Sequence, residues 1–267
     1  MLLSPDERKW LSELCHLKII SVQKVAHAIT NRVFVLHCID NKKFIFKRLN
    51  VQARTATQRA CEYQLQQLLS KLNLTPKVIA IKGSYKLQAF IAGETPKEVN
   101  TDSLTLLATQ LSIIHQIPTK IAPLQCLASE LKDLKKHSDR YVDEKEHAFY
   151  RQLATDLDHS SAKDTLCHGD LSLLNIVKTA SGEVQILDWE YAVLACSAYD
   201  LASCCCINQL NEADENYLLD HYYDLYAEHL VIDKEKLKKE YVQYLSLFRY
   251  INKLWTDHFD KGSNSEI

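Results

Sequence analysis

Three oxygen-bearing side chains, Asp170, Asn175 and Asp188, stand in a pattern that could move a phosphoryl group. Asp170 and Asn175 lie in His168-Gly169-Asp170-x₄-Asn175, the spacing of a phosphotransferase catalytic loop. A carboxylate beside a substrate hydroxyl can accept its proton as the oxygen attacks phosphorus. An amide oxygen a few residues on can bind Mg²⁺ without adding charge. The runs 175–178 and 184–187 flank Thr179-Ala180-Ser181-Gly182-Glu183, which reads as a hairpin turning at Ser181-Gly182. That hairpin would return Asp188 beside Asn175, so both could share a metal that clamps the β- and γ-phosphates. Both aspartates could instead be ordinary turn carboxylates. The preceding His-Gly, the short apolar strand and the hairpin ending apolar-apolar-Asp favour the chemical reading. His168 reads as a ring that shapes the loop through backbone hydrogen bonds rather than as a catalyst.

These residues carry a resemblance. His168-Gly169-Asp170-x₄-Asn175 with Leu187-Asp188-Trp189-Glu190-Tyr191-Ala192 resembles the aminoglycoside phosphotransferase and choline kinase superfamily, whose fold is protein-kinase-like. Asp188-Trp189-Glu190-Tyr191-Ala192 is most similar to choline, ethanolamine and thiamine kinases, and Asp200-Leu201-Ala202 fits as well. The resemblance spans roughly residues 20 to 255 and implies an α+β, two-lobed fold. Its N-lobe is a small antiparallel sheet and its C-lobe mostly helical. It implies ATP and Mg²⁺ as cofactors.

The elements that must position these groups are legible in order. Ser4-Pro5-Asp6-Glu7 forms a capping box opening a packing helix with Trp10, Leu11, Leu14 and Leu17. Residues 18–25, 32–38 and 43–49 alternate as strands, with a turn at Asp40-Asn41. The loop between the first two is glycine-rich in the resembled family but reads Ala26-His27-Ala28-Ile29-Thr30-Asn31 here. Glycine lets backbone N–H groups approach phosphate; Thr30 and Asn31 could supply side-chain donors instead. On the third strand Lys47 matches the family cation for the α- and β-phosphates, with Arg48 as rival. Residues 55–72 read as a helix. Its Glu62 matches the glutamate that pairs with that cation. A hairpin around Gly83-Ser84 leads to Phe90-Ile91-Ala92-Gly93-Glu94. This segment resembles the hinge whose backbone meets the adenine edge, so Phe90 and Ile91 join the nucleotide site. Residues 1–92 form the expected nucleotide-binding lobe and 93–267 the catalytic and substrate lobe.

In the second lobe, a helix from Thr101 ends near His115, which reads as a packed core histidine. Helices follow at 126–137, 142–157, 197–210, 212–229 and from 234 to about 258. Asp200 reads as a helix cap that also braces the catalytic loop. Glu190 could face a cationic substrate or anchor nearby backbone. Tyr241, Tyr244, Phe248, Ile251 and Trp255 fall at helical spacing and read mostly as core. In the resembled choline kinases aromatic rings of late helices hold a quaternary ammonium, which makes Trp255 the substrate-wall candidate.

The 267 residues are 46% apolar with net charge −2, so a substantial core is possible and no clustered basic patch suggests nucleic acid. No run of membrane-spanning length and no signal-peptide plan is present. Nine cysteines without a Cys-x₂-Cys pair argue against zinc and suit a reducing cytosol. The expected activity is transfer of the γ-phosphate of ATP to the hydroxyl of a small, cationic alcohol, with thiamine, choline and ethanolamine ahead of aminoglycosides. The rivals are a nucleotide-binding pseudokinase, supported by the glycine-free loop, and a protein-substrate kinase, opposed by the lack of an activation segment after Asp188.

Overall fold

The computed structural model describes residues 2–25, 31–50, 55–137, 142–227 and 233–262, without the side chains of 137, 227 and 255–262. The chain divides into two compact units, Met1–Thr95 with Asn175–Glu190, and Pro96–Leu174 with Tyr191–Ile267.

The first unit is built on a five-stranded antiparallel sheet in the order β1-β2-β3-β5-β4. Its strands are β1 (Ile19–Lys24), β2 (Arg32–Cys38), β3 (Lys43–Arg48), β4 (Val78–Lys82) and β5 (Tyr85–Ala89). Period-two alternation divides their side chains between two faces. Phe34, Leu36, Phe46 and Leu87 share one face and pack against Leu3, Trp10 and Leu11 from the N-terminal segment. Each such fully buried apolar side chain contributes roughly 1.5–3 kcal/mol. That segment is α1 (Pro5–Lys9), running into a π-helical turn at Trp10–Leu14. Both arms of the capping box at Ser4 and Glu7 form, as its sequence pattern requires. The opposite sheet face carries Lys47 and Lys86. Helix α2 (Ala56–Lys71) is capped by Thr55 and Gln58 and lies by β4. The strands β7 (Ile176–Lys178) and β8 (Val184–Ile186) complete this unit as a hairpin.

The second unit is mostly helical. It contains α3 (Thr101–His115), α4 (Leu127–His137), α5 (Glu144–Ser160), α6 (Ser197–Ile207), α7 (Glu212–Ala227) and α8 (Lys234–Gly262). Helix α3 packs on α7, and α6 on α8. Tyr241, Tyr244 and Ile251 of α8 are core, and Tyr244 and Phe248 meet Tyr199 edge-on at 5.9 and 5.2 Å between ring centroids. Short strands β6 (Thr165–Cys167) and β9 (Val193–Ala195) pair antiparallel. The nine cysteines are free thiols. Among the described residues, no helix is long and apolar enough to cross a membrane.

Candidate functional site

The β7–β8 hairpin places two of the three chemical residues in the first unit. Gly182 takes φ +88°, which its missing Cβ permits, and its N–H donates to Thr179 at 3.0 Å to close the turn. Ile176 pairs with Ile186, and the Leu187 N–H donates to the Asn175 carbonyl at 2.8 Å. Asn175 and Asp188 therefore stand side by side at the open end of the hairpin. Asp188 itself sits at φ +56°, a left-handed conformation that Asp tolerates better than most residues. The following Trp189 is 1% exposed and donates its indole N–H to Ile186 at 3.1 Å, pinning that turn.

Lys47 on β3 forms an ion pair with Asp188. The pleat separates it from its neighbour. Arg48 points to the other sheet face, where it binds Glu7 through two bonds of 2.5 and 2.6 Å. Glu7 is 1% exposed while the Arg48 side chain keeps 29%, so the carboxylate end of this helix-to-strand pair is buried, and the sequence showed only its capping role. Burial alone would push the Lys47 ammonium down; the charge and hydrogen bond of Asp188, then Glu190 and Glu62, hold it above its ordinary value.

Glu62 departs from the expected pairing. Its carboxylate accepts from Lys86 on β5 at 2.7 Å rather than from Lys47. The cause is the β3–β5 register, which sets Lys86 directly opposite Lys47. Burial pushes Lys86 down while Glu62 counters it. Asn31 binds in both directions: its side-chain oxygen accepts from the Asn50 N–H at 3.0 Å, and its amide N–H donates to Glu190 at 3.1 Å. Burial pushes the Glu190 carboxyl up, Asn31 opposes this, and Asp188 and Glu62 add to it. Of the two readings of Glu190, anchoring is the one with a described contact, and its partner is a side chain. Phe90 and Ile91 are half-buried just past β5, with Lys43 5.3 Å from the centre of the Phe90 ring. After them Gly93 meets β7 so closely that a Cβ would lie 2.5 Å from the Lys178 carbonyl oxygen. Thr30 lies outside the described residues, as do residues 26–29 of the first loop.

The second unit holds Asp170. Its loop follows β6 and is fixed by Asp200, whose carboxylate accepts from the N–H groups of His168 and Gly169, each at 2.8 Å. Ser203 donates to the Gly169 carbonyl at 2.9 Å. Gly169 takes φ +77°, and a Cβ there would overlap the Tyr191 carbonyl. His168 is fully buried, and its Nδ1 accepts from the Asp170 N–H at 3.2 Å, the loop-shaping role its position suggests. Asp170 is half-buried. Asp200 does not cap its own helix: α6 starts after Cys196 with no side-chain cap. Its oxygens are committed to the loop N–H groups and to His115 Nε2 at 3.1 Å. Burial alone would raise the Asp200 carboxyl, but His115, His168 and the Gly169 N–H hold it below its ordinary value. His115 also meets the Tyr222 hydroxyl at 2.7 Å, so it is a buried core histidine. His115, Cys167 and Asp200 cluster closely; burial raises the Cys167 thiol well above its ordinary value, and His115 and Asp200 are bound to each other. Trp255 lies on α8, with its side chain outside the description.

Sequence comparison matches residues 21–233 to the profile of the Phosphotransferase enzyme family. The chain belongs to this family. A comparison with curated proteins finds no match. Among solved structures, the family fold is shared with the choline kinase LicA from Streptococcus pneumoniae. That protein has 21% identity, covers 97% of this chain and 91% of its own, and gives a TM-score of 0.73. An ethanolamine kinase of Plasmodium vivax has 16% identity, coverage of 85% and 72%, and a TM-score of 0.63. The aminoglycoside phosphotransferase APH(2")-IIia, solved with GDP and kanamycin, has 13% identity, coverage of 96% and 95%, and a TM-score of 0.63. The antiparallel sheet and helical unit are thus the protein-kinase-like architecture that the central motif implied.

Proposed function

We propose that this phosphotransferase moves the γ-phosphate of ATP to the hydroxyl of a small amine-bearing alcohol, with choline, ethanolamine or thiamine ahead of an aminoglycoside. The observation that carries this reading is the buried Lys47 ammonium paired with Asp188, beside Asn175 at the mouth of one hairpin. A cation next to hard oxygen donors suits a metal-bound polyphosphate. The donor set fits Mg²⁺: Asn175 offers an amide oxygen and Asp188 a carboxylate. When bound there, the metal would offset charge developing on the phosphates.

The roles follow from each residue's chemistry. Lys47 would bind the α- and β-phosphates, with Asn31 and Thr30 as donors at the end of the first loop. Backbone groups of Ala89, Phe90 and Ile91 would meet the adenine edge. Glu190 shares a unit with Lys47 and Asp188 and is held by Asn31, so its carboxylate is assigned to the nucleotide side rather than to the acceptor. Asp170 would take the acceptor's proton and aim its oxygen. Trp255 is the candidate wall for the acceptor's cation. Residues 1–92, with the hairpin that carries Asp188, would be the nucleotide-binding lobe. The remainder would be the catalytic and substrate lobe. The likeness to a choline kinase, an ethanolamine kinase and a kanamycin-bound phosphotransferase supports an amine-bearing alcohol as the shared acceptor type. A reducing cytosol suits the free thiols.

The test is an ATP-consumption assay with Mg²⁺ across choline, ethanolamine, thiamine and kanamycin. Turnover on one of them, with a phosphomonoester product, is expected. A protein that binds Mg·ATP but phosphorylates no small alcohol contradicts the acceptor class. A protein with no thermal shift at millimolar Mg·ATP is a scaffold instead.

A further inference from the structure

Lys86 is a charged residue on an inward sheet face, and the nucleotide chemistry above assigns it no part. It lies directly opposite Lys47 across β3 and β5, so the two side chains project from the same face. Their side chains are 3% and 7% exposed, and Lys47 adds to the forces that depress the Lys86 ammonium. Two buried like charges in adjacent strands repel, and each needs its own carboxylate. The structure separates the partners: Lys86 binds Glu62 of α2, whose side chain is 11% exposed, and Lys47 binds Asp188.

We propose that Lys86 is a positioning residue that occupies Glu62 and thereby keeps Lys47 directed at Asp188 and available to phosphate. The proposal rests on the nucleotide reading of Lys47 but concerns a different pair. The helix glutamate serves the second lysine, not the phosphate-binding one. Without the Lys86 charge, Glu62 would remain as a buried carboxylate whose charge already acts on the Lys47 ammonium opposite Lys86. Lys47 would then turn from Asp188 toward Glu62.

Two measurements on the full chain test this. In the first, Mg·ATP affinity is read by calorimetry. Lys86→Met should raise Kd roughly tenfold, a shift of about one decade. The neutral pair Lys86→Met with Glu62→Gln should return it to within about threefold of wild type. If Glu62 instead serves Lys47 directly, the double variant binds no better than Glu62→Gln alone, and the proposal is overturned. In the second, urea midpoints of the nucleotide-free protein are compared in double-mutant cycles. The effects of Glu62→Gln and Lys86→Met should be strongly non-additive, and those of Glu62→Gln and Lys47→Met close to additive. The reverse pattern overturns the proposal. Because the cycles need no nucleotide, a wild type that fails to bind Mg·ATP sinks the proposed function while the cycles still decide the pairing.

Discussion

Asp188 and Asp200 are the same residue type in two different settings. Asp188 keeps 38% of its side chain exposed, stands on a left-handed turn and is paired with a lysine ammonium. Asp200 is fully buried and bound to two backbone N–H groups and a histidine ring. An ammonium on a flexible stem can leave for another anion, whereas backbone N–H groups are fixed in place. The two carboxylates thus differ in a partner that can move, the Lys47 ammonium, and partners that cannot, the His168 and Gly169 N–H groups.

Exchanging each carboxylate for an amide tests the contrast most severely. Asp188→Asn should lower turnover by on the order of 10³-fold, the scale of a lost charge-stabilising group. It should shift folding stability by only about 1–2 kcal/mol, because Asn tolerates the left-handed turn and its oxygen can still accept from Lys47. Asp200→Asn should do the reverse, destabilising by roughly 3–5 kcal/mol through broken buried bonds. Urea unfolding alongside initial rates checks both, and equal stability losses would break the distinction. Gly169→Ala comes next. Its φ of +77° and the Tyr191 carbonyl leave no room for a Cβ, so a loss of about 1–3 kcal/mol is expected, measured by thermal melting.

The smallest effect is in acid. The Asp200 carboxyl is held below its ordinary value in the fold, so its contribution is fully present above about pH 4, the unfolded carboxylate range. It is lost as pH falls through the depressed folded value. Stability measured from pH 6 downward should therefore fall more steeply below about pH 4 in wild type than in Asp200→Asn. Parallel curves would show that Asp200 does not contribute in this way.

Local signals made much of this legible. The hairpin turn needed Gly182, and the capping box needed Ser4 and Glu7. Each is a pattern within a few residues. What could not be read were contacts set by register between distant segments. Glu62 finds Lys86 because β5 pairs with β3 at one particular offset. Asn31 reaches Glu190 across 159 positions. Asp200 read as both a helix cap and a brace of the loop; the brace forms, on N–H groups 31 and 32 residues earlier, and the cap does not. No composition or periodicity encodes such pairs. Lys86 alternates with Tyr85 and Leu87, so the sequence puts it on the polar face of its strand, and only the β3–β5 register brings it opposite Lys47.

The central claim is that Asp170 activates the hydroxyl of a small alcohol for attack on ATP. The most direct measurement is transfer of labelled γ-phosphate to choline, ethanolamine, thiamine or kanamycin by wild type and by Asp170→Asn, with Mg·ATP binding followed on both. The account predicts a labelled phosphomonoester from wild type and a fall of roughly 10²–10⁴-fold in the variant, with nucleotide binding retained. Wild-type rates in Asp170→Asn would contradict it.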